Sequence, residues 1–291
     1  MELNHLRCFY EVARAGSFTA AGKSLRISQS ALSKAVALLE DAEGVVLLER
    51  SKKGVKLTQL GQSVFDRCQV IFGEIRQIQD QFHGATNLCE GMLRFGASDH
   101  LTRYLLIDKL QAYRRSYPKV VPSLFAGAPN DIIDQVHRGD LEFGLCFTKI
   151  KIPGLEYKRI APSELIVVVN PQYYRNATLD DINRIGILGS ISRQFERHPS
   201  YRMFEFLKED PPINFEVNSQ EIQKLLCLAG AGCALLARFM VQEELRAKAL
   251  REIVLPKPII TDLLMVKRKN HIFTRPAQTF VDEVVHQLRP G

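Results

Sequence analysis

Residues 28–42, SQSALSKAVALLEDA, set the tightest limit on what this chain can fold into. Leu32, Ala35, Val36 and Leu39 share one side at helical spacing, while Gln29, Ser30, Ser33, Lys34 and Ala37 share the other. This pattern predicts a helix from Gln29 to about Ala42, capped by Ser28 and ended by Gly44. A helix with one apolar side needs something to pack on, and the preceding residues supply it. Leu3, Leu6, Phe9 or Tyr10, and Ala13 predict a helix over residues 3–15 that stops at Gly16. Ser17 caps a second helix with Phe18, Ala21 and Leu25 inward, and its small Ala20, Ala21 and Gly22 permit close approach. Arg26, Ile27 and Ser28 make a short turn into the third. Two helices joined by a tight turn, the second polar on its outer face, is the helix-turn-helix arrangement.

The outer face explains what such a helix is for. A B-DNA major groove accepts one helix, and short side chains let its backbone approach the base edges. Gln29 can pair with adenine, Lys34 can reach guanine or phosphate, and Ser30 and Ser33 can donate or accept. Two β-branched-rich runs follow, VVLLER and GVKLT, around the turn SKKG. They predict a hairpin carrying Arg50, Lys52, Lys53 and Lys56, with Glu49 as the opposing charge. A basic hairpin beside a helix-turn-helix is a wing placed to hold phosphates.

The order of these pieces resembles the N-terminal domain of LysR-type transcriptional regulators. The residues that carry the resemblance are Gly-Ser-Phe-Thr at 16–19, Ser-Gln-Ser-Ala-Leu-Ser at 28–33, Leu-Glu at 39–40, Glu-Arg at 49–50 and Leu-Thr-x-x-Gly at 57–61. Leu48 stands where the family usually has Phe, an apolar exchange. The resemblance implies a double-stranded DNA operator as partner. It also implies DNA contacts from Ser17, Thr19, Ser28, Gln29, Ser30, Ser33, Lys34, Arg50, Lys52 and Lys53.

From Thr58 to about Phe82 the chain reads as one long helix. Leu60, Val64, Cys68, Ile71, Ile75, Ile78 and Phe82 form a nearly heptad seam. The seam predicts a homodimer through this helix, which would present two recognition helices to a near-palindromic site. The resemblance implies a homotetramer. Residues 83–91 break the pattern and read as a hinge.

Strands and helices alternate over the remaining two hundred residues, which predicts an α/β fold with mostly parallel sheets. LRFGAS at 93–98, Tyr117-Pro118, GDLEFGL at 139–145 and LAGAGCALLA at 228–237 resemble the family's effector domain. Glu142 stands where that domain typically has Asp, and Ala237 where it commonly has Pro. The fold class expected is thus an N-terminal all-α winged helix-turn-helix domain (1–58), a linker helix and hinge (59–90), and a C-terminal α/β domain (91–291). The last is two-lobed and type-2 periplasmic-binding-protein-like, with lobe I at 91–161 plus 268–291 and lobe II at 162–267. Open α/β sheets bind ligands beyond the C-terminal ends of their strands, often at helix N-termini. That rule selects Ser98, His100, Phe147, Thr148, Arg193, Asn218, Ser219 and Gln220 for a small-molecule effector, with a capping box between Asn218 and Glu221. The resemblance implies an effector from among small acids, a preference that Asp99 beside this group weakens because it would repel a carboxylate.

Other classes find little support. The 46% hydrophobic content suits a globular chain with a real core, and the net charge of +7 permits a polyanionic partner without requiring one. The longest apolar run, residues 225–237, is short of the roughly 20 residues a membrane helix needs. No basic-then-apolar leader opens the chain, so a cytoplasmic protein is expected. Six scattered cysteines lack metal spacing, and Cys227 with Cys233 is the one close pair, leaving a thiol redox sensor as a rival reading. Gly230-Ala231-Gly232 lacks the third glycine of a dinucleotide loop, and no hydrolase, zinc-protease or phosphate-loop motif occurs. No cofactor, no metal and no enzyme activity are expected. A solute-binding protein and an effector-free structural DNA binder remain as further rivals.

Overall fold

The computed structural model describes residues 2–51, 54–84, 89–189, 206–207 and 211–290, without the side chains of 50–51, 76–77 and 79–84. The chain forms two compact units, Met1–Thr86 with His137–Asp140, and Asn87–Val136 with Leu141–Gly291.

In the first unit, α1 (Leu3–Ala15), α2 (Phe18–Leu25) and α3 (Gln29–Glu43) enclose Phe9, Tyr10, Phe18, Leu32, Val36 and Leu39. The caps are those the sequence indicates. Ser17 Oγ accepts from the Ala20 N–H at 3.4 Å and Ser28 Oγ from Ala31 at 3.2 Å. Arg26 turns the chain in a left-handed conformation, φ 56°. Gly22 makes room for that turn, since a Cβ there would lie 2.7 Å from the Ile27 carbonyl oxygen.

The wing is the antiparallel pair β1 (Leu48–Ser51) and β2 (Gly54–Leu57), with Glu49 opposite Lys56. Glu40 ties it to α3, its carboxylate accepting from the Leu47 and Leu48 N–H groups at 2.7 and 3.0 Å. The Leu-Thr-x-x-Gly motif finds its reason here. Thr58 donates to the Val46 carbonyl at 2.9 Å and accepts from Gly61 N–H at 2.9 Å, opening α4 (Gln59–Gly84). A Cβ on Gly61 would meet the Leu47 carbonyl oxygen at 2.0 Å, so only glycine lets the helix start this close to the wing.

The seam along α4 divides differently from the heptad reading. Cys68 and Phe72 are buried against the unit's own core, where Tyr10 stacks on Phe65 and Phe72 at 5.5 and 5.2 Å. Leu60, Ile71 and Ile78 remain 47%, 40% and 50% exposed. The helix therefore carries two adjoining apolar stripes, one internal and one uncovered within this chain.

The second unit is built on one nine-stranded sheet. Its first half runs β3 (Gly91–Ala97), α5 (Asp99–Leu101), a π-helical turn (Thr102–Leu106), α6 (Ile107–Ser116), β4 (Val120–Ala126), α7 (Pro129–Arg138) and β5 (Phe143–Cys146). The long β6 (Leu155–Val169) leads to α8 (Ile182–Ile185), β7 (Ile187–Gly189), β8 (Ile213–Glu216), α9 (Gln220–Leu228) and β9 (Cys233–Ala237). Then come α10 (Gln242–Arg246), β10 (Arg251–Ile253), the long β11 (Ile259–Arg268) and α11 (Arg275–Glu283). The strand order is β4-β3-β5-β11-β6-β9-β7-β8, with β10 beside β6.

The sheet is mixed rather than mostly parallel. Pairs β3–β4, β3–β5, β7–β8 and β7–β9 are parallel, but β6 and β11 run antiparallel to each other and to β9, β10 and β5. These two long strands pass through both halves of the unit. One core gathers Phe95, Phe143, Leu263, Met265 and Phe280, and another gathers Leu165, Val167, Leu188, Leu236 and Ile259. Strands β9 and β10 escape the sequence pattern, because CALLA continues an apolar run that reads as helix and REI is only three residues long. The sequence pattern also predicts a helix near 201–208, which falls largely outside the described residues.

Candidate functional site

On the first unit, the start of α3 and the start of α2 form one polar patch. Gln29, Ser30, Lys34 and Thr19 are exposed, and Ser33 and Ser17 are half-buried. Thr19 Oγ1 donates to Gln29 Oε1 at 3.4 Å, and the Ser28 and Ser30 hydroxyls lie 3.1 Å apart. These contacts follow from the tight turn, which sets the two helix starts side by side with small residues between them. Lys23, Arg26 and Lys56 are also exposed on this unit. Arg50 lies on β1, opposite Val55; its side chain, and Lys52 and Lys53 altogether, lie outside what is described.

In the second unit a cleft of about 70 Å³ opens where the two halves meet on β6 and β11. One wall carries Ser98, His100, Pro129, Phe147 and Thr148, the other Gln220 and Ala237, and the floor Ser163, Leu165 and Thr261. Five of the eight residues selected from sequence thus meet there. Ser219 does not line the cleft: its hydroxyl accepts from the Ile222 N–H at 3.4 Å and caps α9. The expected Asn218–Glu221 capping box is therefore incorrect. Ser219 is the cap, Asn218 is exposed, and the Glu221 carboxylate is engaged by Tyr104 Oη at 2.9 Å and Arg103 at 3.0 Å. Arg193 lies outside the described residues, and Asp99 is exposed and off the cleft wall.

The floor residues escaped sequence reasoning. Ser163 and Thr261 are directly opposed across the β6–β11 ladder, a pairing set by residues nearly a hundred positions apart. The one local hint is a hydroxyl residue inside each of two strand-forming runs, SELIVVV and IITDLLMV.

Burial controls the chemistry at His100. It pushes the imidazole down to about 4, so the ring is neutral at pH 7. His100 Nε2 lies 3.4 Å from Ser98 Oγ, and its ring stacks on Phe147 at 5.7 Å and Phe239 at 6.2 Å. Beside the cleft, Tyr104 on the π turn accepts from Lys224 Nζ at 2.9 Å; Lys224 also donates to the Met240 carbonyl and pairs with Glu244. Cys227 and Cys233 are buried, donate to the Val168 and Gly186 carbonyls, and are pushed up to about 12 by burial. Neither thiol ionises near neutral pH, which removes the basis for reactivity there. Among the described residues no group of His, Cys, Asp and Glu is set to hold a metal, and no helix is long and apolar enough to cross a membrane.

Comparisons with known proteins agree on one family. Residues 3–62 match the bacterial regulatory helix-turn-helix protein, lysR family, and residues 87–289 match the LysR substrate binding domain. Among curated relatives, the HTH-type transcriptional regulator DmlR of Escherichia coli (strain K12) is 26% identical over 259 residues, 87% of this chain and 83% of that protein. Among solved structures, a full-length OxyR variant from Pseudomonas aeruginosa superposes with a TM-score of 0.75 at 19% identity, covering 99% of this chain and 98% of that one. Full-length CbnR in complex with its target DNA gives 0.53 at 23% identity, with 98% of each chain covered. With both halves matched in the expected order, the chain belongs to the LysR family of helix-turn-helix transcriptional regulators, a DNA-binding domain followed by a substrate-binding effector domain.

Proposed function

We propose that α3 enters the major groove of an operator and that Gln29, Ser30, Ser33 and Lys34 contact base edges there. Ser17, Thr19 and Ser28 at the helix starts, and Arg50, Lys52 and Lys53 on the wing, hold the flanking phosphates. The observation that carries this reading is the patch in which Thr19 and Gln29 touch across the turn, with Ser30 and Lys34 exposed beside them. The DNA complex of the relative CbnR supports it.

The cleft on β6 and β11 takes a small-molecule effector, contacted by Ser98, His100, Phe147, Thr148 and Gln220. The chain acts from the cytoplasm, as a regulator and not as a catalyst. Its working divisions are 1–58 for DNA, 59–90 for pairing of copies and 91–291 for response. Two copies pair along the stripe of Leu60, Ile71 and Ile78 on α4, and pairs associate into a homotetramer. The effector acts by shifting the population of the assembly's DNA-competent arrangement, which requires different affinities for the two arrangements.

Binding of Gln29→Ala to a duplex selected from a random library tests the base-reading role. The substitution should cost about 1–3 kcal/mol on the selected duplex and leave affinity for random DNA unchanged. Equal losses on both would remove Gln29 from base recognition.

A further inference from the structure

The cleft has a chemical character that its residues dictate. Strand alternation turns every ionisable side chain of the floor away from it. Ser163 and Leu165 face the cleft, while Glu164 between them pairs with Arg238. Thr261 faces the cleft, while the adjacent Asp262 pairs with Arg159 at 2.7 Å. Ala237 lines the wall, and the following Arg238 is held by Glu164 and Glu252. Lys224 on α9 is occupied by Glu244, Tyr104 and the Met240 carbonyl. The start of α9 brings Gln220 to the cleft, and Glu221 in the same turn is held by Arg103 and Tyr104. Among the described residues, no Lys, Arg, Asp or Glu lines the cleft, and His100 is neutral.

Two lining groups lack hydrogen-bond partners among the described residues. Ser163 is 1% exposed, and its hydroxyl has none; the Gln220 Oε1 acceptor has none either. A buried hydroxyl or amide left this way is costly unless a ligand or an ordered water completes it. Around them Phe147, Pro129 and Leu165 supply apolar surface.

We propose that the effector of this cleft is an uncharged small molecule with a hydrogen-bond donor for Gln220 Oε1 and a polar group for Ser163 and Thr261, an amide- or hydroxyl-bearing compound and not a carboxylate. Among the described residues no cation lines the cleft to meet a carboxylate that leaves water, an uncompensated cost. A neutral amide offers the missing donor and a carbonyl the hydroxyls can engage. The volume of about 70 Å³ suits a small ligand. The inference rests on the cleft being the effector site.

Titration calorimetry on the full-length protein at pH 7.5 tests it with matched probes: propionamide and propionate, benzamide and benzoate, nicotinamide and nicotinate. The amide should bind more tightly than its acid by about tenfold or more in at least one pair. Ser163→Ala should weaken that amide several-fold, and Ala237→Phe, which fills the cleft, should abolish it. Leu165→Phe fills the same space from β6 and serves if Ala237→Phe does not fold. Tighter binding of an acid, lost in the filled variant, would leave the cleft as effector site and overturn the uncharged class. An amide preference that survives filling would overturn both readings. Failure of every amide to bind at millimolar concentration would overturn the uncharged class.

Discussion

Ser28 and Gln29 were legible as cap and exposed helix face because both features are local: a cap needs a hydroxyl before a helix, and an exposed face needs only the helical period. His100 was half legible. Its place after the first strand of the effector domain marked it as a cleft residue, but its protonation follows from Phe147 and Phe239, which arrive from distant parts of the chain. The consequence is measurable. Its folded value of about 4 lies below the ordinary 6.5, so the unfolded chain takes up this proton first as pH falls. The stability tied to neutral His100 is fully present above about pH 6.5 and is lost as pH drops toward 4. Denaturant unfolding at pH 7 and pH 4.5 should give a smaller acid-induced loss in His100→Gln than in the parent chain. An equal loss in both would mean that the imidazole is not desolvated in the fold.

Helices with strong periodicity were read correctly, and two of the departures at this level have clear causes. The seam on α4 merges two faces, since Cys68 and Phe72 serve the unit's own core while Leu60, Ile71 and Ile78 do not. A heptad count cannot separate adjacent stripes on one helix. The mixed sheet was missed because alternation of strand and helix reads as parallel, whereas the direction of β6 and β11 is fixed by pairing across about a hundred residues. Two tests belong here. Gly61→Ala should destabilise the first unit by about 1–3 kcal/mol in denaturant unfolding, since its methyl would collide with the Leu47 carbonyl. A change within experimental error would show that the α4 start is free to shift. Ile71→Lys, on the uncovered stripe, should lower the mass seen by sedimentation while leaving the helical signal intact. An unaltered mass would place the pairing surface elsewhere.

At the scale of the whole chain, family and order of domains were legible because the winged helix-turn-helix is encoded locally, as caps, a turn, a basic hairpin and Gly61. The make-up of the cleft floor was not, because it exists only once Ser163 and Thr261 are brought opposite each other. The central claim is that this chain discriminates DNA sequence and does not merely hold phosphates. Its net charge of +7 would give some DNA affinity in either case. The decisive measurement is therefore a ratio: affinity of the full-length protein for a duplex selected from a random library against affinity for random duplex, at one fixed salt concentration. A sequence-reading regulator should prefer the selected duplex by about a thousandfold or more. A ratio near one, with both affinities falling equally as salt rises, would contradict the account and leave a protein that binds the DNA backbone alone.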